Sequence, residues 1–438
     1  MKNKKLNLIE VIAMAVGTMI GASIFSIFGL GVKLAGTNLP WAFILSGVYA
    51  MAVAYSYAIL GRKIISDAGP MAFILKGLGD NLITGTLSIL YWFSFVVSIA
   101  LFAKGFAGYF IPLIHIDSTP LNHTLVITGL ILFFTVLNFF GSKAVGQAEF
   151  WIVLIKLSIL LLFIAAGFQS IDWHRLTPQT DPVHLKGLLN ASIVFFLSYM
   201  GFGLVTNTSE NMENPQKNVP RAIYISIFVV MLIYLGISVV TLGNLSLSEI
   251  IKASENALAV AAEPFLGQWG FMLISIGAVI SISSALNATI YGGANIAYAL
   301  AKEGFLPRQF ERKVWFEAPE GLYITAALGL FLALFFNLNA IAVITTAVTT
   351  MIYIFVLISH YKNVDKFGGK KWVIGLNLAI LSFVFLALMR YQWQTQKDAF
   401  AASWLIFAAA FLIEYLYRYY FKRNFKKSRI FKIPLGKS

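Results

Sequence analysis

Lys156 is an ionisable residue in an otherwise apolar part of the chain, where it could take up and release a proton. It lies in the stretch 150–157, Phe-Trp-Ile-Val-Leu-Ile-Lys-Leu, about 12 Å inside the end of its predicted helix at a rise of about 1.5 Å per residue. The predicted spans place no Asp or Glu at mid-membrane depth. An ionisable residue inside a membrane is a candidate for function, and this amine could gain and lose a proton as water reaches it from either side. The alternative is an amine that stays charged, held by backbone carbonyls as a fixed internal cation.

Two clusters that contain glycine interrupt predicted membrane helices. The stretch 17–23 reads Gly-Thr-Met-Ile-Gly-Ala-Ser, and 198–203 reads Ser-Tyr-Met-Gly-Phe-Gly. They lie about 180 residues and about five predicted spans apart, and because five is odd, the two helices cross the membrane in opposite senses. Glycine also allows close helix packing, which remains the alternative for either cluster alone. Together they indicate two broken helices in inverted halves, a pattern typical of the binding site of a secondary transporter.

A broken helix offers groups that recognise a zwitterion. Unpaired N–H groups begin its second half and unpaired carbonyls end its first. The N–H groups favour an anion and the carbonyls a cation. In the first cluster, the N–H groups of Gly21, Ala22 and Ser23 are expected to bind a carboxylate, and the Met19 carbonyl an ammonium group. A molecule with a carboxylate and an ammonium group on the same carbon is an α-amino acid.

The second cluster is expected to complete this site. The carbonyls of Phe196, Leu197 and Met200, next to Gly201, would face the ammonium group. The rings of Phe196 and Phe202 could close over the substrate side chain, although core packing is the usual role of any single aromatic residue. The eighth span adds small hydroxyl residues, which often join membrane helices.

The composition indicates that membrane-spanning helices position these residues. Hydrophobic types make up 59% of the 438 residues and charged types 12%. At about 20 apolar residues per crossing, this supplies about twelve spans. A soluble chain of this kind would expose large apolar patches, so a soluble globule, a disordered chain and a nucleic-acid binder are excluded despite the net charge of +14. No Ser/His/Asp grouping or metal-ligand cluster lies within the predicted spans, so we expect neither an enzyme nor a metal site.

The sequence predicts an all-α membrane protein with twelve spans in a single domain, 1–438. The first, third and eighth spans are too long to cross untilted and must tilt or break. The segment 245–266, between the seventh and eighth spans, is polar enough for an amphipathic helix on the outer surface. The predicted spans lie near 9–35, 38–61, 81–111, 121–140, 148–170, 187–208, 219–243, 267–300, 321–336, 339–360, 371–389 and 399–421.

Basic residues indicate the topology. Lys2, Lys4 and Lys5 precede an apolar run that is too long for a signal peptide, so we interpret it as a retained first span. With the N-terminus inside, about 25 of the basic residues fall on the cytoplasmic side, out of 33 in the chain. They include a basic tail, 422–438, which is expected to lie against anionic lipid. We therefore expect a multi-pass protein of the cell membrane with both termini in the cytoplasm.

Three stretches resemble the amino acid–polyamine–organocation (APC) superfamily, which has the LeuT-type fold. The stretch 19–25, Met-Ile-Gly-Ala-Ser-Ile-Phe, resembles its first substrate loop, and 195–203, Phe-Phe-Leu-Ser-Tyr-Met-Gly-Phe-Gly, resembles its second. The stretch 213–223, Glu-Asn-Pro-Gln-Lys-Asn-Val-Pro-Arg-Ala-Ile, resembles its cytoplasmic signature. The resemblance extends over nearly the whole chain. Many members carry Gly-Ser-Gly where this chain has Ala and Ser after its second glycine, so either the backbone alone or Ser23 would serve the carboxylate.

The resemblance implies two inverted halves, with the first five spans in 9–170 and the next five in 187–360, followed by two helices in 371–421. The first and sixth helices would be discontinuous. In proton-coupled members, a fifth-span lysine occupies the space that sodium fills in sodium-coupled relatives, and Lys156 falls at that position. The same match implies that the amine is surrounded by Gly17, Ile20, Ser283 and Ser284.

The resemblance also implies a function, namely proton-coupled, sodium-independent uptake of amino acids by alternating access. The proton is then the coupling ion, and no cofactor is expected. Neutral amino acids are favoured because the sequence shows no pocket carboxylate that would hold a cationic side chain. Two alternatives stay open: a sodium symporter or amino-acid exchanger of the same fold, and a channel or membrane-embedded enzyme. The sequence does not indicate the oligomeric state.

Overall fold

The computed structural model is helical throughout the part of the chain that it describes. That part forms no β-strand and contains only isolated bridges, such as the one between Leu6 and Met212. Ala22 and the basic tail 422–438 lie outside it. The described ranges are 5–21, 23–138, 145–302, 306–314 and 318–421, with backbone alone at 145–150, 308 and 421.

The first half of the described chain begins with a divided helix, which we call helix 1. Its first piece starts with a capping box, in which the Asn7 side chain accepts from the Glu10 N–H and the Glu10 side chain accepts from the Asn7 N–H. Such a box satisfies two of the unpaired donors at a helix start. The helices of this half are α1 (Leu8–Ile20), α2 (Ser23–Ser26), α3 (Phe28–Ala35), α4 (Leu39–Lys63), α5 (Pro70–Leu78), α6 (Leu82–Leu113), α7 (Pro120–Leu137) and α8 (Val145–Phe168).

The second half of the described chain also begins with an interrupted helix, which we call helix 6. It consists of α9 (Pro182–Phe195), a 3₁₀ segment (Phe196–Gly203) and α10 (Leu204–Asn207). The helices that follow are α11 (Pro215–Asn244), α12 (Leu247–Ala253), α13 (Ala257–Lys302), α14 (Glu320–Phe335), α15 (Leu338–Lys362), α16 (Val364–Phe367), α17 (Lys371–Thr395) and α18 (Lys397–Phe421).

The helix lengths confirm a multi-pass membrane fold. Eleven helical stretches of the described chain are long and apolar enough to cross a membrane. The shorter apolar helix α14 lies at the position of the predicted ninth span. The inverted repeat of 9–170 and 187–360 stays a prediction.

The segment 245–266 differs from the single surface helix that its polarity predicts. It forms α12 and the first part of α13, and α13 bends at Gly267, where φ is 62°. The side chains of Ala257, Ala259 and Ala262 are fully buried. Small side chains allow this close packing, so a run of alanines, and not the charged residues, decides where the segment lies.

One end of the bundle joins the start of the chain to the ends of helices α4 and α10. The Leu6 N–H donates to the Asn211 carbonyl at 2.8 Å. The Ser66 N–H donates to the Ser209 hydroxyl at 3.0 Å. We call this end the N-terminal face.

Candidate substrate and coupling site

Helix 1 is broken where the first glycine cluster predicts it. Helix α1 ends at Ile20, and Gly21 has φ 28° and ψ −120°. A Cβ at this position would lie 2.8 Å from the Thr18 carbonyl oxygen. Glycine is required here because L-residues rarely adopt such a backbone conformation.

The N–H groups at the break are not all free. The Gly21 N–H donates to the Gly17 carbonyl at 3.0 Å, so the prediction that it binds a carboxylate is wrong: this N–H continues the hydrogen bonding of α1. Ala22 lies outside the described residues, and Ser23 begins α2.

Two carbonyls at the break accept hydrogen bonds from side chains of other helices. The Tyr234 hydroxyl in α11 lies 2.7 Å from the Met19 carbonyl and 3.1 Å from the Ser198 carbonyl. The Ser281 hydroxyl in α13 donates to the Gly21 carbonyl at 2.8 Å. Carbonyls freed in a helix break must be satisfied inside a membrane. The Met19 carbonyl also accepts from the Ser23 hydroxyl, at 3.3 Å. An ammonium group would therefore have to take the place of this longer bond.

Lys156 reaches the same helix from α8. Its side chain is only 1% exposed, and its amine donates to the Gly17 carbonyl at 2.7 Å. A Cβ at Gly17 would lie 2.3 Å from a methyl carbon of Val153. The absence of a side chain at 17 therefore lets α8 approach α1 closely enough for this bond.

The other residues assigned to the lysine by resemblance lie on the same helix pair or on α13. Ile20, the last residue of α1, is fully buried. Ser284 is buried on α13, and Ser283 is partly exposed. Helix α13 packs against α8. The two serines are therefore on a helix that adjoins the lysine helix.

Helix 6 is interrupted, but not by the open break that the sequence predicts. The segment from Phe196 to Gly203 keeps helical backbone angles at its ends and tightens to a 3₁₀ helix. A Cβ at Gly201 would lie 2.7 Å from the Met19 nitrogen. This glycine therefore allows helix 6 to touch helix 1, and it does not serve to unwind the backbone. The Met200 carbonyl accepts from the Tyr353 hydroxyl at 3.0 Å.

The two aromatic residues predicted to cover the substrate are packed into the core. Phe196 and Phe202 are both fully buried. The Phe202 ring lies between Tyr57, at 5.3 Å between centroids, and Tyr353, at 5.6 Å. Neither phenylalanine is among the described residues that line the cavity between helices 1 and 6.

That cavity has a volume of about 200 Å³. Predicted residues on its wall are Met19, Ser23, Leu197, Met200 and Gly201. Sequence reasoning missed the contributions of α6 and α15, because only packing shows which faces of these helices turn inward. These lining residues include Ser94, Ser98, Phe102, Thr345, Thr349 and Ile352.

The cavity wall is mostly apolar and uncharged. The described residues that line it include no Asp, Glu, Lys, Arg or His. Several hydroxyl groups lie among its apolar side chains, which suits a small zwitterion whose side chain is neutral. A multi-pass helical fold with two interrupted helices facing one uncharged cavity defines the class of the protein, a membrane transporter.

Comparison with known proteins gives the family. The sequence profile of the amino acid permease family matches residues 6–414. The chain therefore belongs to the amino acid permeases of the APC superfamily, and it is an amino-acid transporter and not an enzyme.

Several relatives span nearly the same length. The chain is 58% identical to an uncharacterized protein of Methanocaldococcus jannaschii, with 99% of both chains covered. It is 29% identical to the inner membrane transport protein YbaT of Escherichia coli, over 96% of this chain and 97% of the relative. It is 23% identical to the branched-chain amino acid permease BcaP of Bacillus subtilis, over 69% and 68%.

Proposed function

We propose that this chain couples the uptake of neutral amino acids to protons, without sodium, by alternating access. The observation that carries the proposal is the bond between the buried Lys156 amine and the Gly17 carbonyl of helix 1. The group that would carry the proton thus touches the helix that would carry the substrate. Neutral side chains are favoured by the uncharged wall of the cavity.

Substrate and proton would act on the same element. The N–H groups of Ala22 and Ser23 bind the carboxylate, since the Gly21 N–H already donates within helix 1. The Met19 carbonyl accepts from the ammonium group in place of the Ser23 hydroxyl. Gain or loss of a proton at Lys156 changes how firmly the amine holds Gly17. Coupling requires only that proton and substrate each favour one of the two conformations.

The orientation of the protein is part of the proposal. The N-terminal face joins the start of the chain to loops that carry many of the basic residues, and such loops stay in the cytoplasm. The hydrogen bond between Leu6 and Asn211 supports placing these segments on one side. We place this face in the cytoplasm and the protein in the cell membrane.

The test is uptake of a labelled neutral amino acid into proteoliposomes under an imposed pH gradient. We expect outside acid to stimulate the parent, and Lys156→Ala and Lys156→Met to lose that response. The matched control is Lys33→Ala, since Lys33 is an exposed lysine of helix 1, and it should keep the response. An unchanged acid response in both Lys156 variants would remove the lysine from the mechanism.

Two further measurements distinguish the alternatives. An ammonium group at the sodium position repels sodium ions, so the proposal expects no effect of sodium on uptake. Stimulation of uptake by sodium at fixed pH would favour a sodium symporter. Saturable counterflow of labelled substrate is expected of a carrier. Its absence, with conductance that does not saturate, would favour a channel.

A further inference from the structure

One buried hydroxyl near the cavity is without a hydrogen bond. Tyr57 of α4 is fully buried, and its phenol oxygen has no partner among the described residues. Its ring packs against those of Phe73, Phe202 and Tyr353. A buried unsatisfied donor is costly, and most such groups find a partner. Tyr57 lines the cavity, so a ligand there could supply the missing acceptor.

A second hydroxyl on the same wall also has a donor to spare. The Asn207 side-chain amide donates to the Tyr91 hydroxyl at 2.6 Å. The hydrogen of that hydroxyl has no acceptor among the described residues. Tyr57 lines the same cavity as Tyr91 and Asn207. Two phenol groups and one amide therefore offer hydrogen-bond donors at one place.

These donors lie toward the N-terminal face from the broken helix. Asn207 ends α10, and a Cβ at Gly69 in the loop after α4 would lie 1.9 Å from its side-chain oxygen. Tyr57, Tyr91 and Asn207 line the same cavity as Met19. A substrate moving from helix 1 to this face would pass them.

The chemistry of the group selects a carboxylate. Three neutral donors can satisfy a carboxylate, whose two oxygens accept several hydrogen bonds. An ammonium group would need acceptors, and two of the three oxygens here already accept a hydrogen bond: the Tyr91 oxygen from Asn207, and the Asn207 oxygen from the Thr206 hydroxyl. The lack of a cation among the described wall residues keeps such a site weak enough to release its ligand.

We propose that Tyr57, Tyr91 and Asn207 form a second binding site, which holds the carboxylate of an amino acid on its way between helix 1 and the N-terminal face. This inference rests on the proposed transport of amino acids and deepens it. The second site serves one side of the membrane only. Substitutions in the second site should therefore change the KM from one face of the membrane only, whereas substitutions in helix 1 change it from both faces.

The experiment measures the KM for a neutral amino acid from each face in oriented proteoliposomes. In Tyr57→Phe, the KM from the N-terminal face should rise about tenfold, as for loss of one hydrogen bond to a charged group. The KM from the opposite face should stay within about twofold. The matched control is Tyr49→Phe on the same helix, because the Tyr49 hydroxyl lies 3.3 Å from the Ser192 hydroxyl. It should change neither value.

A second variant and a probe complete the test. Asn207→Asp places a negative charge beside the proposed carboxylate and should raise the same one-sided KM further. Propionate, a carboxylate without an amine, should inhibit the parent from the N-terminal face but not Tyr57→Phe, and ethylamine should inhibit neither.

The outcomes separate the two proposals. Equal KM changes from both faces, or no change in either variant, would overturn the second site while amino-acid transport by the parent stands. A parent that transports no amino acid would overturn both proposals. If the Tyr57→Phe protein fails to fold, the one-sided KM of Asn207→Asp and the inhibition of the parent by propionate decide whether the second site exists.

Discussion

Helix 1 and helix 6 are both interrupted inside the bundle, but by different means. Helix 1 turns at Gly21, whose positive φ opens the backbone. Helix 6 tightens to a 3₁₀ helix from Phe196 to Gly203 and keeps helical angles at its ends. The two neighbouring helices therefore differ in how they are held: helix 1 exposes carbonyls to side chains of other helices, and helix 6 approaches helix 1 closely.

The difference shows where coupling acts. Three carbonyls of helix 1 are held by side chains of three other helices: Gly17 by Lys156, Met19 by Tyr234 and Gly21 by Ser281. Through these bonds, a movement of a neighbouring helix can change the backbone at the break directly. Helix 6 contacts helix 1 at Gly201, and side chains of α11 and α15 bond to two of its carbonyls.

The largest effect should come from the glycine that opens helix 1. Gly21→Ala places a side chain at φ 28° and within 2.8 Å of the Thr18 carbonyl. We expect more than a tenfold loss of uptake, since strain of about 1–3 kcal/mol at this position disfavours the break. The matched change in helix 6 is Gly203→Ala, where φ is −58° and the nearest atom would lie at 3.9 Å. It should keep uptake within about threefold. Equal losses in both would contradict the difference between the helices.

A smaller effect is expected where one residue joins the two helices. The Tyr234 hydroxyl lies between the Met19 and Ser198 carbonyls. Tyr234→Phe should weaken substrate binding about fivefold to tenfold, as for loss of a buried hydrogen bond. The control is Tyr199→Phe, because the Tyr199 hydroxyl bonds to the Phe43 carbonyl outside helix 1. Scintillation proximity binding of a labelled amino acid measures both. Equal affinity in parent and Tyr234→Phe would mean that this bridge does not shape the site.

The same contrast explains what the sequence could and could not predict. The position of the helix 1 break and the burial of Lys156 follow from local signals, a glycine cluster and a charge in an apolar run. The 3₁₀ form of helix 6 does not follow from a local signal, because the role of Gly201 is to allow contact with helix 1. Nothing in the sequence around Tyr234 predicts its role in the site, because its neighbours in α11 are apolar. The cavity walls on α6 and α15 likewise depend on which face packs inward.

Helices 1 and 6 also share a connection at the N-terminal face. The Asp67 N–H donates to the Glu210 side chain at 3.2 Å, and the Glu210 N–H donates to the Asp67 side chain at 3.0 Å. The Asn211 amide donates to Asp67 at 3.2 Å. Asn211 also bonds to Leu6, just before α1. This cluster joins the loop after α4 to the ends of both interrupted helices.

The last and smallest prediction asks whether this cluster responds to pH. Burial and the Glu210 carboxylate raise the pKa of Asp67 to about 6, although its bond to the Glu210 N–H lowers it. An Asp67 released to water would have a pKa of about 3.9. The joined state therefore binds a proton more tightly and is favoured as the pH falls from about 7 to about 5. The half-exposed position of Asp67 keeps the shift to about threefold.

The measurement uses the absence of cysteine from the sequence. A single thiol at the cavity wall, Leu204→Cys, reports access from the N-terminal face through its rate of maleimide labelling. The parent rate is divided at each pH by the rate in Asp67→Asn, which cancels the titration of the thiol itself. Because the Asn side chain stays neutral, the ratio should be about three at pH 7 and approach one at pH 5. A ratio that stays constant over this range would show that the cluster at Asp67 does not sense protons.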